Sequence, residues 1–210
     1  MTYAKTAWIN DAVPAINASN LNNIETGIDE VTSVVNLPGW ASRPPFLDEN
    51  SSNLANKPSL ITRGVFGGYS MPEYSVGEEL LFRMRVPHRW DGTTNPYFIA
   101  ISSISGAEDV GDKYKFQLEW QSRDVGNVIP DTIQETVTDE VTVADGTAFY
   151  AESLSFELDA ATLVSGQNLQ LRLRRIAASA SSVSNEVIIW HWDSRWKLDK
   201  HASTNPMGYP

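Results

Sequence analysis

Histidines are the first side chains in this sequence that could do chemistry, as metal ligands or as general bases. There are three, His88, His191 and His201. A metal site usually needs at least three converging ligands, and the pairs His88 with Asp91 and His191 with Asp193 match no established ligand spacing. Neighbouring strands, or copies on an oligomer axis, could still bring histidines together. We therefore predict no metal site and no cofactor, and interpret the histidines as partly buried residues at a sheet edge.

Paired carboxylates are the second chemical possibility, because glycosidases use two of them. The candidates are Glu73, Glu119, Glu157 and Asp193. Glu119 lies on one strand face together with Gln117 and Gln121, which is typical of a solvated face. The sequence contains no nucleophile elbow, phosphate-binding glycine loop or zinc-hydrolase helix motif, and it has no cysteine. We predict that the protein is not an enzyme, with a glycan-degrading enzyme as the alternative.

Tryptophans carry more weight than the titratable groups, because an indole ring can fill a core, join an interface or stack on a sugar. The chain has seven. If their strand is regular, Trp190 and Trp192 share one face with Ile188, while His191 points to the other. Packing in the core is the favoured interpretation, and an exposed platform for a glycan or a neighbouring subunit is the alternative. The candidate ligand-binding residues are Trp90, Trp190, Trp192 and Trp196.

Strands must position these side chains, because the chain alternates apolar and polar residues from about residue 80 onward. The clearest alternation carries Tyr114, Phe116, Leu118 and Trp120 on one face. Similar alternations lie at 80–86, 97–101, 137–143, 154–158, 169–173 and 187–192, and Gly-containing turns separate them. About seven strands with one apolar face each predict a mainly β fold, an antiparallel β-sandwich or jelly roll over residues 63–210.

The N-terminal 37 residues differ from this pattern and predict an extended arm followed by a short helix. Pro14 disfavours helical geometry before it, and Asn17 or Ser19 can cap a helix. Apolar residues then recur at spacings of three and four, as in a coiled-coil seam. Such a short helix is marginal alone and requires either its own copies or the domain behind it. Residues 38–62 are rich in Pro, Ser and Asn and predict a linker or a covering loop.

Composition limits the function classes. The chain has 210 residues, 41% of them hydrophobic, and a formal net charge of −10. This acidity argues against nucleic-acid binding, which depends on Lys and Arg. No apolar run approaches the length that a membrane span needs, and the N-terminus lacks the apolar core of a secretion signal. We expect a protein that is made in a cytoplasm and does not insert into a membrane.

The N-terminal motif resembles a segment found in many virion proteins of tailed phages, in particular tail fibres and related appendages. The resemblance rests on WIND at residues 8–11 and PAINASNLNNIETGI at residues 14–28. The β-rich part also resembles phage β-sandwich proteins, through VPHRW at 86–90, FQLEW at 116–120, LRLRR at 171–175 and IWHWD at 189–193. The resemblance implies a homotrimer that is attached to the particle by its N-terminus. The attachment and oligomerisation residues would be Trp8, Pro14, Ile16, Leu21, Ile24, Ile28 and Val31.

From these observations we predict a non-enzymatic structural protein of a tailed-phage virion. Its arm and helix would dock on capsid or tail proteins, and its β-sandwich would project, with a host-surface glycan as the ligand. A capsid decoration protein or head fibre without a receptor role is the alternative in the same class.

Overall fold

The computed structural model describes residues 40–47, 58–72, 79–124, 126–128 and 131–198, all of which belong to the unit formed by residues 38–210. The described residues form eleven strands. These are β1 (Trp40–Ser42), β2 (Phe46–Leu47), β3 (Ser59–Arg63), β4 (Phe66–Met71), β5 (Leu80–Arg85), β6 (Tyr97–Ile104), β7 (Lys113–Arg123), β8 (Glu135–Thr142), β9 (Glu152–Glu157), β10 (Asn168–Ile176) and β11 (Val187–Lys197).

Two antiparallel sheets contain these strands. The first sheet has the order β3-β4-β11-β6-β9, and β1 pairs with the C-terminal end of β11. The second sheet has the order β2-β5-β10-β7-β8. Alternate residues of the central strands are buried between the sheets, as the period of two requires. Leu171 of β10, for example, lies opposite Phe82 on one side and Trp120 on the other, and all three are buried.

The predicted antiparallel β-sandwich is therefore confirmed. Its buried core draws on both sheets, with Phe98 and Phe156 from the first packed near Phe82 from the second. The described part of the chain contains one 3-10 turn, Ala160–Thr162, which Asp159 caps through the Ala161 amide. In these same ranges no helix has the length and apolar character needed to cross a lipid bilayer.

The prediction of a linker or covering loop over residues 38–62 is wrong where the structure describes this segment. β1 pairs with β11, β2 pairs with β5, and β3 forms a hairpin with β4. These strands have two to five residues, so each is too short to show a two-residue alternation. The surrounding Pro, Ser and Asn residues are also typical of loops. The sandwich therefore includes strands before residue 63.

The predicted N-terminal arm and helix lie outside the described residues. The same holds for all the candidate attachment residues, namely Trp8, Pro14, Ile16, Leu21, Ile24, Ile28 and Val31. The virion resemblance that rests on this segment stays a prediction.

A β-bulge interrupts β11, so Trp190 and Trp192 do not share a face as regular alternation predicts. Ile189 pairs with Ser102 and His191 pairs with Ile101, so that Trp190 is an extra residue without a partner on β6. An extra residue shifts the alternation of everything that follows it. As a result, Ile188 and Trp190 lie on the outer face of the first sheet, and Trp192 turns inward.

Candidate functional site

A groove crosses the outer face of the second sheet. It consists of two depressions with volumes of about 340 Å³ and about 520 Å³. Both depressions are lined by Arg83, Gln121 and Gln170, and they are therefore parts of one continuous groove. Its walls come from β2, β5, β10 and β7 and from the segment before β8, so residues far apart in the sequence meet there.

The centre of the groove is a row of three polar side chains on adjacent strands. Gln170 of β10 lies directly opposite Arg83 of β5 and Gln121 of β7. Neighbouring strands are about 4.8 Å apart, so this row spans about 10 Å. Neither glutamine amide forms a hydrogen bond to another residue within the described ranges. The row therefore presents free donors and acceptors to a polar ligand.

One end of the groove is built around the buried carboxylate of Glu119, whose side chain is only 5% exposed. It accepts hydrogen bonds from Arg172 Nε at 2.6 Å, Arg174 NH2 at 2.8 Å and Gln117 Nε2 at 2.7 Å. Glu79 is a second carboxylate beside the same two arginines, at 3.6 Å from Arg172 and 4.0 Å from Arg174. The expectation that Glu119 faces solvent is wrong, because two guanidinium groups cover it.

These contacts decide what Glu119 can do chemically. Both of its oxygens already accept hydrogen bonds from arginine, one from Arg172 and the other from Arg174. A general acid needs an oxygen that can carry a proton toward a leaving group, and this arrangement leaves none free. Glu119 is therefore positioned to fix Arg172 in the groove wall and Arg174 beside it.

The other end of the groove is rich in arginine and carries an exposed aromatic ring. Arg83, Arg85 and Arg123 line this end together with Asn168. Phe46 of β2, which is 75% exposed, lies opposite Arg83 at its margin. At the far margin of the first depression, Ile133 is 46% exposed. The groove thus combines hydrogen-bonding groups at its centre with apolar surface at both ends.

Two of the four candidate tryptophans, Trp90 and Trp196, are buried in the core, which corrects their assignment as ligand-binding residues, and Trp192 is partly buried and packs against the core. Trp90 and Trp196 are 4% and 0% exposed and pack edge to face, with ring centroids 5.7 Å apart. Trp192 packs against the core beside Phe82 at 5.0 Å and donates to the Pro45 carbonyl at 2.9 Å. Packing in the core, the favoured interpretation of the sequence, holds for these three residues.

Trp190 is the exception, because the bulge places it on the outside of the first sheet. Its Nε1 donates to Ser103 Oγ at 2.8 Å, and its ring lies 6.4 Å from that of Phe149. The Arg63 guanidinium lies 3.8 Å above the Phe149 ring. Phe149 itself has a φ of 67°, a strained value for a bulky residue. Trp190, Phe149 and Arg63 form a small outer patch, remote in the fold from the groove.

The titratable groups with a shifted pKa hold the framework and do not line the groove. Burial alone would raise the pKa of Glu108, but hydrogen bonds from Asn185 and Ser184 lower it. Hydrogen bonds from Ser179 lower the pKa of Glu140 to about 2. Burial raises the pKa of the Tyr114 phenol, which donates to Glu152 at 2.9 Å.

The histidines do not form a site with these groups. His88 lies in the loop after β5, against Gly166, and His191 lies exposed on β11. His201 lies outside the described residues. Within the described ranges, no three His, Cys, Asp or Glu side chains come together as metal ligands.

The groove is not predicted by the sequence, because its residues have the pattern of an ordinary polar strand face. Arg83 and Arg85 alternate with the core residues of β5, and Arg172 and Arg174 do the same on β10. The sequence does contain one signal, because the polar faces of β5 and β10 each carry two arginines, whereas most solvated faces mix positive and negative charges. The strand order that brings them side by side was not readable from the sequence.

Comparisons with known proteins give likenesses of fold only. No family model matches the chain, and no curated protein matches it. Among solved structures, it is similar to a xylan-binding module CBM15, with 10% identity and a TM-score of 0.43 over 77% of this chain and 92% of the module.

Two further similar structures have lower scores. A family 11 carbohydrate-binding module of the cellulase Lic26A-Cel5E of Clostridium thermocellum has 10% identity and a TM-score of 0.35, over 79% of this chain and 91% of that one. A tumour-necrosis-factor protein, Eiger TNF from S. frugiperda, has 10% identity and a TM-score of 0.29, over 80% and 100%. Because these proteins differ in function, likeness at this level does not assign a function to the chain.

Proposed function

We propose that the protein is a non-enzymatic saccharide-binding module and that it binds its ligand in the groove on the second sheet. The observation that carries this proposal is the groove itself, with Gln121 and Gln170 at its centre, whose side chains have no hydrogen-bond partner among the described residues. Sugars present many hydroxyl groups, and planar amides and guanidinium groups recognise them through directed hydrogen bonds. The exposed ring of Phe46 supplies the apolar surface on which a sugar ring stacks.

The non-enzymatic part of the proposal is supported by the environment of Glu119. It is the buried carboxylate of the groove, and its oxygens are occupied by Arg172 and Arg174. Asp131 is the other carboxylate that lines this depression, and it is exposed. Neither is held in the way that a general acid requires.

We further propose that this module serves a tailed-phage virion as a trimeric appendage that binds a host-surface glycan. The support is the N-terminal motif at residues 8–28, together with a β-sandwich that follows it. In this arrangement the N-terminal segment attaches to other virion proteins and the sandwich projects. A capsid decoration protein would share the anchor and would need no glycan.

Glycan-array binding followed by calorimetry tests the groove. The Gln170→Ala and Phe46→Ala variants should each weaken binding about tenfold, the loss expected for one hydrogen bond or one stacking contact. Ser153→Ala is the matched control, because Ser153 is an exposed strand residue of the first sheet. Trp190→Ala tests the outer patch. Loss of binding in Trp190→Ala alone would move the site to the first sheet, and the absence of any bound glycan would favour the decoration protein.

Virion attachment is tested by deleting residues 1–36 and measuring incorporation into particles. We expect a folded sandwich, by far-ultraviolet circular dichroism, that no longer incorporates. Retained incorporation would refute the anchor. Native mass spectrometry of the full chain tests the trimer, and a monodisperse monomer at micromolar concentration would count against it.

A further inference from the structure

The arginine-rich end of the groove contrasts with the charge of the whole protein. The chain has a formal net charge of −10, yet Arg83, Arg85 and Arg123 line one depression in which Asp124 is the sole carboxylate among the described lining residues. Asp124 accepts a hydrogen bond from Gln167 Nε2 at 3.2 Å and forms no ion pair with these arginines. Among the described lining residues, a local excess of positive charge therefore remains at this end.

Two groups of arginines in and beside the groove differ in how they are paired. Arg172 and Arg174 are neutralised by Glu119 and Glu79. Arg83 and Arg123, in contrast, form no ion pair and no side-chain hydrogen bond with any residue in the described ranges. The groove is thus divided into a neutral end and a cationic end.

Arg123 is the most informative of these residues. Its Nε is inaccessible to solvent and has no hydrogen-bond partner. A buried polar group without a partner destabilises the folded protein. An atom that water cannot reach is also out of reach of a ligand, so Nε itself is not the contact atom. The terminal amino groups of the Arg123 guanidinium are not among the buried unsatisfied atoms, and they are the donors that the open groove exposes to a ligand. A carboxylate, sulfate or phosphate group suits these donors best, since such groups accept paired hydrogen bonds from one guanidinium group.

The pairing register places the three arginines on one face of the second sheet, where they line a single depression. Asn168 of β10 lies directly opposite Arg85 on one side and Arg123 on the other, so these two arginines are about 10 Å apart at the backbone. Arginine side chains are long enough to converge over the short side chain between them. Arg85 Nε donates to the Gly166 carbonyl at 2.6 Å, which fixes its direction. Arg83 lies two residues before Arg85 on the same face of β5.

We infer that Arg83 and Arg123, with Arg85, form a subsite for an anionic substituent of the bound saccharide. This inference rests on the proposed saccharide function and narrows the ligand class to acidic glycans, which carry carboxylate, sulfate or phosphate groups. The neutral end of the groove, with Gln121, Gln170 and the paired arginines, binds the sugar hydroxyl groups. The cationic end selects for the charge.

Nuclear magnetic resonance of the arginine Nε–H groups in the full chain tests the subsite directly. The probes are sulfate and glucuronate, each added at constant ionic strength, with glucose as the neutral counterpart. We expect saturable shifts of the Arg83 and Arg123 signals with both anions and none with glucose. Arg195 is the internal control, because it is an exposed arginine on the first sheet without an ion pair among the described residues. Shifts at Arg83 and Arg123 that only match those of Arg195 would overturn the inference.

Binding of a glucuronate-containing oligosaccharide provides the second measurement. Arg123→Gln and Arg83→Gln should each weaken it by about tenfold or more, as expected for the loss of a charged hydrogen bond, whereas Arg195→Gln should leave it unchanged. Equal affinity of the Arg123→Gln, Arg83→Gln and Arg195→Gln variants would overturn the subsite.

The two proposals fail in different ways. If a neutral glycan binds and Gln170→Ala weakens it while Arg123→Gln does not, the saccharide site stands and the anionic subsite is refuted. If the anions cause saturable shifts of the Arg83 and Arg123 signals but no glycan binds in the array, the subsite stands and the saccharide function is refuted.

Discussion

Replacing Glu119 by glutamine tests whether this carboxylate holds the groove together. The change removes one negative charge with little change in volume, and it places an amide donor where an oxygen now accepts from arginine. Glu119 is 5% exposed and accepts hydrogen bonds from Arg172, Arg174 and Gln117, with an additional close ion pair to Arg172. The two arginines would lose their shared partner, and Glu79 alone would remain beside them.

The magnitude follows from burial on the two sides of the pair. Breaking a fully buried ion pair costs about 3–5 kcal/mol, and an exposed pair contributes at most about 1 kcal/mol. Glu119 is buried, whereas the side chains of Arg172 and Arg174 are 36% and 20% exposed and regain water when the pair breaks. We therefore expect Glu119→Gln to lower the free energy of unfolding by about 2–3 kcal/mol. In a domain of this size that corresponds to a fall in Tm of about 4–12 °C.

Urea unfolding followed by tryptophan fluorescence measures this loss. The matched control is Glu157→Gln, because Glu157 is an exposed strand residue that accepts a single side-chain hydrogen bond, from Asn95. The control should change the free energy of unfolding by less than about 0.5 kcal/mol. If both variants are equally stable, Glu119 is not the residue that fixes the arginines. Saccharide turnover that disappears in a stable Glu119→Gln variant would instead support the glycan-degrading enzyme.

Three other perturbations test the framework around the groove. Arg175 is 2% exposed and donates to the carbonyls of Val183 at 2.8 Å and Asn185 at 2.9 Å. Arg175→Met should therefore lower the free energy of unfolding, measured in urea, by about 2–4 kcal/mol. An unchanged midpoint of urea unfolding would contradict this role. Trp192→Ala should lower the free energy of unfolding by about 3–5 kcal/mol, because it truncates a side chain packed against the core, and Trp190→Ala should lower it less. Equal losses would contradict the assignment of the bulge. The low pKa of Glu140, about 2 against an ordinary 4.5, means that its contribution to stability is present above about pH 4.5 and is lost as the pH falls toward 2. Nuclear magnetic resonance titration measures this pKa, and a midpoint near 4.5 would refute the assigned contacts.

The fold was readable from the sequence where strands are long and have one apolar face. β7 and β10 alternate over eleven and nine residues, and both are central strands of the second sheet. β1, β2 and β3 were missed, because two to five residues surrounded by Pro and Ser do not carry a period. Their pairing depends on the longer strands beside them, which is a tertiary effect.

The tryptophans show why a face assignment fails at a bulge. Regular alternation predicts Trp190 and Trp192 on the same side of β11. Local sequence does not reveal the extra residue, which becomes visible only in the pairing of Ile189 with Ser102 and His191 with Ile101. Gly68 of β4 makes room for the outward Trp190 ring, because a Cβ at this position would lie 2.7 Å from both the Trp190 ring and Ile188. The space for the outward indole ring is thus supplied by a neighbouring strand.

The charge of the groove illustrates the same limit. A formal net charge of −10 argues against an extended phosphate-binding surface, because such a surface needs many basic residues. The net charge of the whole chain does not determine the charge of a single depression. Arg172 and Arg174 are neutralised across strands by Glu119, whereas Arg83 and Arg123 are left without an ion pair in the described ranges. Three arginines within one depression suit one anionic group rather than a polyanion backbone. None of the three forms an ion pair among the described residues, and this favours a ligand that supplies the missing charge.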